Sequence, residues 1–105
     1  MSTKKSDKSL ALLEDISGEP LSLGRFLWAI REGEEWTQVE FAKKLGVSRQ
    51  YVCDLEHNRK GLSPSMASKF SKLLGYSEAQ FIRLAIQREL DKANLPFQVA
   101  VEDAA

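Results

Sequence analysis

Few side chains in this sequence have chemical reach. Its 105 residues hold one cysteine, Cys53, and one histidine, His57. One of each cannot build a His/Cys metal cluster, and no Cys/His catalytic pattern is recognisable. No nucleophile stands with a base and an orienting group in a known motif, and there is no phosphate-binding glycine loop. The chain therefore reads as a non-enzyme that needs no cofactor. Residues 42–60 offer a different chemistry. Lys43, Lys44, Arg49, Arg59 and Lys60 outnumber Asp54 and Glu56, in a chain whose net charge is zero. A local excess of this kind can hold a polyanion, because phosphates respond to nearby charge and not to the total.

The elements that must position these groups are helices. Pro20 and Ser22 introduce a first helix, LGRFLWAIRE, with Leu23, Phe26, Leu27 and Ile30 at helical spacing and Gly33 as its end. Trp36 precedes the second helix as a staple. Thr37 caps that helix, and Glu40, three residues on, completes a capping box. Gly46 stops it in a left-handed position. Ser48 caps the third helix, with Val52 and Leu55 facing inward. Ser63 and Pro64 start a fourth helix whose apolar face is Met66, Ala67, Phe70, Leu73 and Leu74, ended by Gly75. Ser77 and Gln80 form a second capping box before the longest helix, which runs to about residue 95. Residues 1–20 read as a flexible arm. FQVAV, after Pro96, alternates weakly and is the one strand candidate.

Composition sets outer limits. With 43% hydrophobic and 29% charged residues the chain is globular and not disordered. No apolar run approaches the ~18 residues of a membrane span, and the N-terminus lacks the apolar core of a secretory signal. A single cysteine fits a reducing, cytoplasmic setting.

The stretch QVEFAKKLGVSRQYVCDL, residues 38–55, carries the most information. Two helices joined by a short turn make a helix-turn-helix. Ala42 is small where the second helix crosses close. Gly46 permits the left-handed bend. Phe41, Leu45, Val47, Val52 and Leu55 fill the angle between the helices. Together with WTQVEFAKKLGVSRQYVCDLEHNRKGLSP as a whole, the chain resembles the Cro/C1-type helix-turn-helix regulators, the XRE family that includes lambda-like phage repressors. The likeness spans roughly residues 21–86.

That resemblance implies an all-α, five-helix lambda-repressor-like domain over residues 21–95, flanked by the N-terminal arm and a short C-terminal tail, 96–105. It implies a dimer on a palindromic double-stranded DNA operator, with the third helix in the major groove. Carried onto this sequence residue by residue, Gln38 and Ser48 contact phosphate. Arg49 can pair with guanine and Gln50 with adenine. Tyr51 can pack on the sugar–phosphate wall or a thymine methyl. Asp54 can accept from cytosine or orient Arg49. Lys43, Lys44, Arg59 and Lys60 hold phosphates without reading sequence. Arg31 and Glu56 occupy the places of a partly buried ion pair joining the first and third helices. After Glu56 the sequence departs from the commonest pattern, and Asn58 can take the left-handed turn that glycine usually takes.

The fifth helix has apolar residues too widely spread for one face. Phe81, Leu84, Ala85, Ile86 and Leu90 are expected at a two-fold dimer contact. There is no room for a small-molecule sensing domain, so the chain looks like a phage-type repressor or an autoregulating antitoxin with a cognate toxin partner. The tail could add a strand or engage a protein. The reading from another class is a protein-interaction adaptor without specific DNA binding.

Overall fold

The computed structural model describes residues 21–104. The arm expected over residues 1–20 lies outside the described residues. Two compact units divide between Lys60 and Gly61. The first holds α1 (Leu23–Gly33), α2 (Gln38–Leu45) and α3 (Arg49–Glu56). The second holds α4 (Pro64–Leu74) and α5 (Glu78–Lys92). All five elements are helices and the described residues contain no strand, so the fold is all-α.

In the first unit, α3 packs against both α1 and α2. Phe26, Leu27, Ile30, Phe41, Leu45, Val52 and Leu55 are essentially without exposed surface. Each such side chain contributes about 1.5–3 kcal/mol by leaving water. In the second unit, α4 packs on α5, with Phe70, Phe81 and Leu84 fully buried. Ser71 is also buried there, and its hydroxyl donates to the Ser68 carbonyl at 2.7 Å, so the polar group is satisfied. Leu73, expected on the apolar face, is instead 48% exposed.

The helix starts follow the local chemistry. Thr37 Oγ1 accepts from the Glu40 N–H at 3.1 Å, and Glu40 Oε1 accepts from the Thr37 N–H at 2.9 Å. Trp36 stacks on Phe41, with ring centroids 5.9 Å apart, which fixes the entry into α2. Ser63 caps α4, with proline in its first turn. Only half of the second capping box forms. Ser77 caps α5, but Gln80 Oε1 accepts from Arg83 Nε at 3.2 Å instead of reaching back.

Gly33 ends α1 as expected, and the left-handed residue that follows is Glu35, at φ 60°. The tail makes no strand. Gln87 of α5 satisfies it instead, donating to the Phe97 carbonyl and accepting from the Val99 N–H, both at 2.8 Å. A glutamine side chain carries the same donor and acceptor as a peptide, so it replaces the neighbouring strand.

Candidate nucleic-acid interface

The turn between α2 and α3 sets the direction of the face that follows. Gly46 has φ 72°, and its N–H donates to the carbonyls of Ala42 and Lys43. Nothing lies within 4 Å of the place its Cβ would occupy, so the glycine is required by backbone angle alone. Two residues later Ser48 leaves the helical region and its Oγ accepts from the Tyr51 N–H at 3.1 Å. Val52 and Leu55 then turn inward, and Ser48, Arg49 and Gln50 remain exposed. The first N–H groups of a helix have no partner inside it, so this end favours anions.

Glu56 fixes α3 against its neighbours. Its carboxylate accepts from Arg31 Nε at 2.6 Å and Nη2 at 3.1 Å, and from Gln38 Nε2 at 3.1 Å. Arg31 Nη1 also donates to the Trp36 carbonyl at 3.0 Å. One carboxylate thus joins all three helices of the unit. The Glu56 hydrogen bond holds the Arg31 guanidinium even more firmly protonated than usual, against the opposing effect of burial.

Gly24 and Asn58 make a second tie. Asn58 lies in the left-handed region at φ 59°, and its Oδ1 accepts from the Gly24 N–H at 3.0 Å. A Cβ on Gly24 would meet Asn58 Oδ1 and the Glu56 carbonyl at 2.7 Å. The loop after α3 therefore closes on the start of α1, and only a hydrogen fits between them. Sequence reasoning passed over Gly24. A glycine inside the first turn of an otherwise good helix was the available signal.

Asp54 is enclosed differently from the expectation. Its side chain is 13% exposed and makes an ion pair with Arg59 Nε at 2.9 Å. Lys60 Nζ stands 3.8 Å from Asp54 Oδ2, and Gln50 Nε2 donates to Asp54 Oδ1 at 3.1 Å. Its partner is thus Arg59 and not Arg49. The hydrogen bond from Arg59 holds the Asp54 carboxyl below the ordinary aspartate range, with Gln50 and the Arg59 and Lys60 charges adding to it. Lys60 also lies over the Tyr51 ring, 5.7 Å from its centroid, and Lys44 over Trp36, at 5.0 Å.

A family model described as helix-turn-helix matches residues 29–81, half of the chain. The chain belongs to the helix-turn-helix family. It is of the DNA-binding Cro/C1 (XRE) type. Among solved structures it is similar to hypothetical transcription factor NHTF from Neisseria, with a TM-score of 0.51 and 28% identity, over 68% of this chain and 79% of that one. No curated protein matches it.

Within this helix-turn-helix, α3 and the segments flanking it carry one group of the expected residues. Lys43, Lys44, Ser48, Arg49, Gln50, Arg59 and Lys60 are exposed, Tyr51 is half-buried, and all lie in the first unit. Gln38 is half-buried at the Glu56 junction. The expected dimer residues do not form one surface. Phe81, Leu84 and Ala85 are 0–1% exposed in the single chain, so they are core and have no surface to offer a partner. Ile86 and Leu90 are half-buried. Trp28 of α1 is 40% exposed. Among the described residues no group of acidic, histidine and cysteine side chains could hold a metal, and no helix is long and apolar enough to cross a membrane.

Proposed function

We propose that this DNA-binding regulator is a dimeric, sequence-specific repressor that inserts α3 into the major groove of a palindromic operator. One observation carries the reading. Ser48, Arg49 and Gln50 stand exposed on the open N-terminal end of a helix whose other face is locked by Glu56, with lysines on either side. In this reading Arg49 reads guanine and Gln50 adenine, and Tyr51 packs on the groove wall. Gln38, Ser48, Lys43, Lys44, Arg59 and Lys60 hold phosphates. Residues 21–95 form the binding and dimerisation domain, with the arm and tail on either side. The dimer contact draws on Ile86 and Leu90, joined by Leu95 and Phe97, which are 46% and 64% exposed.

The test is selection of duplexes from a random library, followed by electrophoretic shifts with Arg49→Ala and Gln50→Ala. Specific, salt-sensitive binding that each change weakens by about 1–3 kcal/mol supports the reading. Absence of any binding at low salt removes it. A narrower form makes the protein an autoregulating antitoxin with a cognate toxin, and stable co-purification with the product of an adjacent gene tests that. The exposed Leu95 and Phe97, on a tail pinned by Gln87, favour one second reading, a protein-interaction adaptor. Retained partner binding without any DNA shift would select it.

A further inference from the structure

Asp54 binds the segment after α3 with both of its ends. Its carboxylate takes Arg59 and Lys60, while its backbone carbonyl accepts from the Arg59 N–H at 2.8 Å and the Lys60 N–H at 3.3 Å. The same Oδ1 that pairs with Arg59 also accepts from Gln50 Nε2, one turn earlier on α3. This last bond has a consequence for reading. An ionised carboxylate only accepts, so the Gln50 amide must turn its nitrogen toward Asp54. The flipped amide would set two acceptors against each other. Gln50 therefore carries a fixed order of donor and acceptor along its exposed edge. Its second Nε2 hydrogen and its Oε1 are left for a ligand. Pairing with adenine needs that kind of order, a donor to N7 and an acceptor from the N6 amino group.

We propose that Asp54 is a specificity-determining positioning residue that sets the amide orientation of Gln50 and keeps Arg59 beside it, without touching a base itself. The proposal rests on Gln50 reading a base, as put forward above. Arg59 makes the arrangement self-consistent, because its charge keeps Asp54 ionised and so keeps it an acceptor. A glutamine otherwise free in three side-chain torsions is ordered before the DNA arrives, which lowers the entropy to be lost on binding.

The test compares selected sequences for the wild-type chain, Asp54→Asn, Gln50→Ala and the double variant. An asparagine can offer either its oxygen or its nitrogen, so both orientations of Gln50 become allowed. Asp54→Asn is expected to lose about tenfold discrimination at the base pair that Gln50→Ala also relaxes. The double variant should be no more relaxed than Gln50→Ala alone. Non-specific affinity should rise, since a negative charge has gone and Arg59 is released toward phosphate. Relaxation at a different base pair would mean that Asp54 reads a base directly, and would overturn the proposal. So would unchanged selectivity, or a uniform loss across all sequences. A wild-type chain that selects no sequence overturns both this proposal and the reading beneath it. A second measurement needs no variant. In a nitrogen–proton NMR spectrum at neutral pH the two Gln50 side-chain amide protons should be separated by more than the ordinary splitting of a free glutamine amide. One should be shifted downfield by the carboxylate, and values equal to those of a free glutamine amide would count against it.

Discussion

Two carboxylates on α3, Asp54 and Glu56, stand two residues apart and do opposite work. Glu56 is 4% exposed at its side chain and gathers Arg31 from α1 and Gln38 from α2. Asp54 is 13% exposed and gathers Gln50, Arg59 and Lys60 from its own helix and the segment that follows. The first fixes where the helix lies. The second orders the groups on the part of it that remains exposed. Residues two apart on a helix point about 200° from each other, so one helix can carry a structural ion pair and an organised exposed face without their competing. An inner pair is costly to break because it strands a charge, while an outer pair is weakened by water and salt.

The largest effect should come from breaking the inner pair. Arg31→Ala leaves Glu56 with Gln38 alone and should destabilise by about 2–3 kcal/mol, less than a fully buried pair because Arg31 keeps an edge in water. Denaturant unfolding measures it. Replacing both Arg31 and Glu56 by apolar residues of similar volume should recover much of the loss. A single-variant cost below about 0.5 kcal/mol would place this pair among surface bridges and erase the contrast.

Gly24→Ala tests the same side by steric means. The added methyl would meet Asn58 Oδ1 and two α3 carbonyls at 2.7–2.8 Å, and should cost about 1–3 kcal/mol. Gly46→Ala meets nothing but is held at φ 72°, so its cost should be near 1–2 kcal/mol and purely conformational. Unfolding midpoints of the two variants separate crowding from backbone angle. Equal recovery of both by a compensating change at Asn58 would contradict the distinction.

The outer pair should show itself mainly through pH. The Asp54 carboxyl is held below its ordinary range, so the folded state favours the ionised form. Its contribution is present above about pH 4, the ordinary aspartate value, and is lost as pH falls through the lower folded value. The stability difference between wild type and Asp54→Asn should therefore be flat from about pH 5 to 8 and shrink in acid. Thermal unfolding from about pH 8 down to about pH 2 checks it. A difference that grows in acid would have the wrong sign.

The smallest expected change is at Lys43. Lys43→Ala should leave base preference intact and lower the slope of binding against salt by about one. A change in selected sequence would move Lys43 from holding phosphate to reading bases.

What could be read directly from the sequence is local and periodic. Thr37 with Glu40, Gly46, Ser48, Ser63 with Pro64 and Gly75 each satisfy or release a nearby backbone group, so short windows contain the whole reason for them. The helix-turn-helix followed from those signals and the apolar spacing between them. Asn58 as the left-handed residue was legible for the same reason. Residue pairs distant in sequence were not, apart from Arg31 with Glu56, which the family resemblance supplied. The contact of Gly24 with Asn58 spans 34 positions, and only the packing of α1 on α3 makes a hydrogen the largest group that fits. The Asp54–Arg59 pair crosses the end of a helix, where no fixed spacing applies. Phe81, Leu84 and Ala85 looked available because apolar spacing shows that a side chain seeks cover, not which surface provides it. Backbone angle and hydrogen-bond capacity belong to single residues and their near neighbours, so the amino-acid order decided the helices and their caps. Which apolar surface covers the last helix, and which charges meet across a turn or crowd a glycine, depend on what the folded chain brings close, and those only the tertiary structure decided.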